Sequence, residues 1–308
     1  MTIEELIQEP LCPICLEPSV LIAYAQLAPW IEDLLSLDKT TSSLHECKSC
    51  EFSYFSYRYS DDEMEKLYSG YRSDSYLKAR SSWEFWYSKR INDFWLQPNN
   101  VSIRRNRIIE HLKHQNLDIT SISSCLDFGG DEGQFAPEHI PRDKNFILDL
   151  SGKSDSEKFT YIKNVESLPA PVELVLCCMT LEHVASPRRI IQDLAQSTYD
   201  YVYLEVPHDS FKVSKFHKTT FYKRYLRSVR KSKTLFVLLD FITGVIRNYL
   251  GLVPWFGIVK QSEHINYFSS LSILKLGTIA GLTGETKVFS SANVGGIRLG
   301  QSSTLLRV

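Results

Sequence analysis

From Ser121 onward, apolar runs alternate with segments of helical rhythm. SSCLDFG, NFILDLS, VELVLCCM and YVYLEVP are short apolar runs, as expected of strands covered on both faces. Between the last two, SPRRIIQDLAQST repeats its apolar positions at helical spacing, with Pro187 near its start. Strand and helix in alternation predict a doubly wound α/β sheet over residues 121–308. GETKVFSSA and LGQSSTLLRV, separated by the turn-rich Asn293–Gly296, are expected to close that sheet as an antiparallel pair. Upstream, DDEMEKLYSGYRSDSYLKAR and SIRRNRIIEHLKHQ have helical spacing and few breakers, so 59–120 reads as a helical bridge. Residues 1–58 form a separate block, in which YAQLAPWIEDLLSL is expected to be a short helix.

Bulk composition narrows the function classes. The chain has 308 residues, 43% of them hydrophobic, and a formal net charge of −1. That is ordinary for a globular protein and carries no general nucleic-acid signature. MTIEELIQEP is acidic where a secretory signal would be basic and then apolar, which points to the cytoplasm. The most apolar stretch, 234–259, is interrupted by Asp240, Arg247 and Pro254, so no membrane-spanning helix is expected there.

Four of the seven cysteines form two C-x-x-C pairs, Cys12 with Cys15 and Cys47 with Cys50. Each pair is a tight turn that presents two thiolates, and two such turns complete a tetrahedral four-cysteine zinc site. The interval between the pairs exceeds the ~15–20 residues of a zinc ribbon, so it must carry structure of its own. With no position left for water, the ion would be structural. His45 is a neighbouring polar residue and a substitute ligand at most.

The stretch LDFGGDEGQF places Asp127 at a strand end, followed by Gly129, Gly130 and Gly133. This is not the G-x-G-x-x-G of a dinucleotide site, because Asp131 stands at the middle position. Asp127, Asp131 and Glu132 would serve a pyrophosphate poorly and a cationic, amine-bearing ligand well. Asp149 ends the next strand, at the ~20-residue interval where an acidic side chain accepts hydrogen bonds from ribose hydroxyls. S-adenosylmethionine meets both requirements better than a nicotinamide dinucleotide.

LDFGGDEGQF, LDLS, CCMTLEHVASP and YLEVP, in that order, resemble the successive motifs of class I S-adenosylmethionine-dependent methyltransferases. With CPIC and CKSC ahead of them, the layout is similar to the zinc-containing sugar methyltransferases of deoxysugar and surface-polysaccharide pathways. The resemblance implies that Gly129, Gly130 and Gly133 let the backbone approach the cofactor. It also implies that Asp127 acts near the methionine amino group, that Asp149 binds the ribose, and that Glu166 and Met179 lie near the adenine. The implied acceptor is a sugar, nucleotide-linked or part of a glycan.

Transfer to a hydroxyl or an acidic carbon needs a base. Glu263-His264 in QSEHINYFS resembles the segment that carries the base in the zinc-containing sugar C-methyltransferases, but Gln261 stands where that segment has tyrosine, so O- and N-transfer stay open. Glu182-His183 is the second pair, and it reads equally as pocket lining or as a helix cap. Between Pro207 and Glu263 lies an insert, 208–262, whose part from Lys212 to Lys233 has nine Lys/Arg residues and no acid. Three readings of it stay open: a lid for a nucleotide diphosphate, a surface for an anionic membrane through 212–259, and a solvated helical face. Nucleic acid is not an expected partner, because no recognised module accompanies the charge. Tyr71 and Tyr76 in GYRSDSYLKAR either fold over the ligand or pack the bridge against the sheet.

Overall fold

A computed structural model describes residues 10–38, 40–151, 156–207, 212–294 and 297–307. The acidic stretch 1–9 and insert positions 208–211 fall outside the described residues. The chain begins with β1 (Ser19–Leu27), α1 (Pro29–Leu35), β2 (Thr41–Cys47) and β3 (Ser53–Phe55). The expected single helix over YAQLAPWIEDLLSL therefore begins as strand. Tyr24 to Leu27 extend β1, and the chain turns helical only at Pro29, whose fixed φ suits a first helical position. The bridge is α2 (Asp61–Tyr68), α3 (Asp74–Ser81), α4 (Lys89–Asn92) and α5 (Pro98–His114). Ser60 and Glu63 form a reciprocal capping box that starts α2.

The second half carries β4 (Cys125–Phe128), β5 (Asn145–Leu148), β6 (Thr160–Ile162), β7 (Val172–Cys178), α6 (Pro187–Gln196) and β8 (Thr198–Pro207). The insert then folds as α7 (Thr220–Arg230) and α8 (Lys233–Leu250). β9 (Lys260–Gln261), β10 (Asn266–Tyr267), α9 (Ser270–Ile279), β11 (Thr283–Val294) and β12 (Ile297–Arg307) complete it. Seven strands form one sheet in the order β11-β12-β8-β7-β4-β5-β6. β4 to β8 are mutually parallel, and β12 runs antiparallel to both β8 and β11. This is the doubly wound sheet with an antiparallel C-terminal pair that the hydrophobic rhythm predicts. The chain winds from β4 outward to β6, then returns to the other side of β4 with β7. That reversal makes the crevice above β4 and β7 the natural place for a ligand.

The N-terminal block does not close on itself at residue 58. Its sheet has the order β10-β3-β2-β1-β9, so one outer strand comes from the end of the insert and the other from just after it. β9 pairs in parallel with β1, and β10 antiparallel with β3. Cys12, Ile14, Cys47, Cys50 and Phe52 share one apolar cluster with Leu126, Val175 and Val202 of the large sheet and Leu276 of α9. Phe52 and Phe268 pack with ring centroids 5.0 Å apart. The two sheets are thereby joined through a common core as well as through the chain.

Candidate active site

A cavity of about 210 Å³ opens at the carboxyl ends of the parallel strands. β4 contributes Phe128 and the following Gly129, β5 contributes Leu148 and the following Asp149 and Leu150, and β7 contributes Cys178 followed by Met179 and Thr180. The bridge supplies Met64, Tyr68, Tyr71, Arg72 and Arg104. Glu182, His183, Glu263 and His264 line it from the other side, and Asp131, Gln134, Phe135 and Val184 also border it. No residue from 212 to 262 is in that wall.

The glycines divide by role. Gly129 lines the cavity at φ +74°, and a Cβ there would sit 2.2 Å from Thr180 Oγ1. Gly130 is required by Asp127, whose carboxyl carbon lies 2.6 Å from where its Cβ would be. Gly133 is a packing residue: a Cβ would strike Ile147 and Phe159 beneath the loop. The Asp131 backbone adopts φ +49°, the left-handed conformation that Asp tolerates better than most residues. Its carboxylate is 2.8 Å from Arg72 Nη1, and its N–H donates to Asp149 Oδ2 at 2.9 Å. The residue that departs from the expected glycine therefore ties the bridge to both strand ends.

Asp127 is fully buried beneath this turn, and it is not part of the cavity wall. Neither carboxylate oxygen has a hydrogen-bond partner among the described residues. Burial first, then the nearby Asp149 and Asp131 carboxylates, push its pKa up to about 7. Asp149 lies in the wall, with Oδ1 accepting the Ser151 N–H at 2.7 Å. Met179, at φ +58°, is held by its N–H donating to the Glu205 carbonyl at 2.7 Å and faces the same space. Glu166 is placed elsewhere. It is exposed on a short turn after β6 and lines a separate cavity with Leu168, Pro169 and Asp193. An adenosyl ligand suits the main cavity: a glycine backbone for close approach, one carboxylate at a strand end, and Leu148, Leu150 and Met179 as apolar wall.

Opposite these residues, two segments carry histidines and are locked together. Asn266 Nδ2 donates to the carbonyls of Leu181 and Val184, at 2.7 and 2.8 Å. The N–H groups of Ile265 and Asn266 both donate to the Glu182 carbonyl. Arg58 binds the carbonyls of Val184, Ala185 and Ile265 through its whole guanidinium. His183 and His264 are thus held edge to face, with ring centroids 4.7 Å apart. Tyr68 Oη lies 2.7 Å and the Glu263 carbonyl 3.2 Å from His183 Nδ1. A carbonyl only accepts, so Nδ1 carries the proton and Nε2 presents its lone pair. Burial holds His183 below its ordinary pKa, and burial with the neighbouring His183 and Arg80 holds His264 well below. Both rings are neutral at pH 7.

Glu263 is not free to act as a base. Its carboxylate accepts from Tyr76 Oη and pairs with Arg80 Nη1 at 2.6 Å. Arg80 also pairs with Glu84, which with Asp240 holds Lys260. Glu182, fully buried, has no hydrogen-bond partner for either oxygen among the described residues. Desolvation raises its pKa to about 8. Gln261 is buried in β9 and donates to the Tyr57 carbonyl at 2.8 Å, so it serves the small sheet. Tyrosine hydroxyls reach the histidine segment from the bridge instead, from Tyr68 and Tyr76. Tyr71 lines the cavity, whereas Tyr76 is tied to Glu263 behind it. Tyr68 at the end of α2, Arg72 in the turn before α3 and Arg104 on α5 carry no motif that marks them in the sequence.

At the N-terminus, the four thiols of Cys12, Cys15, Cys47 and Cys50 lie within 4.8 Å of one another. Cys12–Cys50, Cys15–Cys47 and Cys15–Cys50 are 3.6, 3.4 and 3.6 Å apart. Sulfurs bound ~2.3 Å from one tetrahedral ion stand about 3.8 Å apart, so the donor set is suited to zinc. The Cys50 thiol donates toward Cys12 and draws the Cys12 pKa down to about 5, as a thiolate ligand requires. His45 lies outside the cluster, stacked on Tyr54 and paired with Ser43. Arg188 reaches across from α6 to the Ile14 carbonyl at 3.1 Å.

A family model described as a methyltransferase domain matches residues 101–287. No curated protein matches the chain. Similar solved structures include an S-adenosylmethionine-dependent methyltransferase from Thermotoga maritima, described as a possible histamine N-methyltransferase. It is 12% identical, with 70% of this chain and 95% of that one covered and a TM-score of 0.41. The 1,6-didemethyltoxoflavin-N1-methyltransferase of Burkholderia thailandensis is 12% identical, with 86% and 95% covered and a TM-score of 0.45. The magnesium protoporphyrin IX methyltransferase of Synechocystis is 14% identical, with 67% and 82% covered and a TM-score of 0.38.

Proposed function

The chain belongs to the methyltransferase-domain family and is an S-adenosylmethionine-dependent methyltransferase, and from that premise we propose that it methylates a hydroxyl of a sugar, nucleotide-linked or within a glycan. The observation that carries the hydroxyl reading is the His183–His264 pair. Two neutral imidazoles in one cavity wall, one with its Nε2 lone pair presented, suit an acceptor that must lose a proton. An amine that reacts through its own lone pair needs no such base. The sugar reading rests on the resemblance to zinc-containing sugar methyltransferases, and the four-cysteine cluster supports it.

S-adenosylmethionine brings a methyl group already activated on a sulfonium, so the protein's task is alignment. Asp149 would receive the ribose hydroxyls, Gly129 would let the chain pass close to the methionine part, and Met179 would cover the adenine. His183, oriented by Tyr68 and the Glu263 carbonyl, would accept the hydroxyl proton at Nε2. His264 would wall the acceptor beside it. Glu263 is a positioning residue, fixed by Arg80 and Tyr76. The cysteine cluster would hold one structural zinc ion that anchors the small sheet.

The test is methyl transfer from labelled S-adenosylmethionine to a panel of nucleoside diphosphate sugars, with amines and phenols alongside. Product on a sugar hydroxyl, lost in His183→Ala, supports the reading. Efficient transfer only to an amine or a phenol refutes the sugar assignment.

A further inference from the structure

Helix α8 is built with its faces reversed. Its buried positions are Phe236, Asp240 and Thr243, two of them polar. Asp240 pairs with Lys260, and Thr243 Oγ1 accepts the Ile258 N–H at 3.0 Å while donating to the Leu239 carbonyl. The apolar side chains Leu235, Leu238, Phe241, Val245 and Tyr249 repeat at three- and four-residue intervals and point outward. Leu238 is 52% exposed and Tyr249 70%. The stripe runs on past the helix end into Leu250, Leu252 and Trp255, the last 65% exposed. At its middle, Phe85 packs on Phe241 at 5.1 Å and is itself exposed. A water-facing helix would carry the opposite pattern, so this face is made to be covered.

The surrounding charge says by what. Between 212 and 259 Asp240 is the sole acidic residue, and it is buried. Lys212, Lys215, Lys218, Arg224, Arg227, Lys231 and Lys233 are all exposed on the segments beside the stripe. Arg230 is excluded from that surface by its pair with Glu32 at 2.7 Å. An exposed apolar stripe with aromatic ends, bordered by cations and lacking exposed acid, matches the layered chemistry of an anionic bilayer. Acyl chains meet the leucines, the interface meets Tyr249 and Trp255, and phosphates meet the lysines and arginines. At ~1.5 Å per residue, the 18 residues of α8 fall short of a bilayer's ~30 Å core. No helix among the described residues is long and apolar enough to cross a membrane.

We propose that the α7–α8 hairpin docks this protein on an anionic membrane surface, with α8 lying in the plane of the interface. This does not depend on which acceptor is methylated.

The experiment is flotation of the full-length protein with vesicles of phosphatidylcholine alone and with phosphatidylglycerol added, at low and high salt. Binding is expected only to the phosphatidylglycerol vesicles. It should weaken at least tenfold in Leu238→Glu/Val245→Glu and at least roughly 30-fold in Arg227→Glu/Lys231→Glu, where two interfacial cations are reversed. These positions are exposed, so unchanged melting and S-adenosylhomocysteine affinity certify that the variants are folded. Absence of binding by the folded wild type, or binding that ignores Leu238→Glu/Val245→Glu, overturns the proposal. A dimer in solution that Leu238→Glu/Val245→Glu dissociates, with no vesicle binding, would also overturn it and assign the face to a second copy of the chain.

Discussion

Arg80 Nη1 lies 2.6 Å from Glu263 Oε2, joining the bridge helix α3 to the strap that presents His264. The guanidinium also lies over the ring of Tyr87, 3.9 Å from its centroid, and pairs with Glu84. Arg80→Met would leave Glu263 buried with its charge uncompensated, a loss of about 3–5 kcal/mol. We expect a melting temperature many degrees lower. Glu263→Gln, which keeps the Tyr76 contact, should cost much less stability and lower kcat only modestly. Thermal melts of both variants, with kcat measured below the transition, check this; equal activity loss in Glu263→Gln and His183→Ala would make Glu263 the base.

Cofactor affinity should depend on Asp149 and, differently, on Asp127. Asp149→Ala removes hydrogen bonds of an ionised acceptor, and a 10- to 100-fold loss of S-adenosylhomocysteine affinity is expected from about 1.5–3 kcal/mol. Asp127, pushed up to about 7 by burial, changes charge between pH 6 and 8. On the resemblance its anion acts near the ligand's ammonium from beneath the turn, so wild-type affinity should rise over that interval while Asp127→Asn stays flat. Calorimetric titration at the two pH values checks both statements.

The acid limb of activity should lie below pH 6.5. Burial lowers the pKa of His183 and His264, so each ring keeps its lone pair to a pH below the ordinary imidazole value and gains a proton only under more acid conditions. His183→Ala should lower kcat by ~10²–10⁴, the usual contribution of a general base. His264→Ala should act mainly on KM. A pH profile of kcat/KM with an acid limb above 6.5 would contradict the neutral pair.

Glu182 sets a stability trend. Its folded pKa of about 8 stands above the ~4.3 of an unfolded chain, so the folded protein holds a proton that the unfolded chain releases. Stability from this group is therefore fully present below about pH 4 and falls as pH rises toward 8, by on the order of 5 kcal/mol. Glu182→Gln should flatten that fall, seen as a larger stabilising difference from wild type at pH 8 than at pH 5. Chemical denaturation at both pH values measures it.

Metal removal should unfold more than the N-terminus. The cysteines share their apolar cluster with Leu126 and Val175 of the large sheet. We expect about one zinc ion per chain by elemental analysis, and a single lowered melting transition after chelation or in Cys47→Ser. Two separate transitions, with the cofactor-binding one unmoved, would show that the small sheet folds apart.

The sequence alone determined the parallel sheet, because strands buried on both faces must be apolar throughout. It also determined the Asp127–Gly129–Asp149 order and the pairing of four cysteines, since these chemistries need particular residue types at short fixed spacings. Tertiary structure decided what depends on distant pairing. β9 and β10 are two residues each, too short for any periodicity, yet they stitch the small sheet to the segment bearing His264. Glu263 and His264 are neighbours in sequence and both line the cavity, but only the approach of Arg80 and Tyr76 makes Glu263 an anchor. The resemblance put Glu166 near the adenine, but the fold places it in a separate cavity. The apolar stretch in α8 was plain in the sequence, but its outward direction was not. That direction follows from Asp240 meeting Lys260, an ion pair that forms only when the fold brings α8 and β9 together.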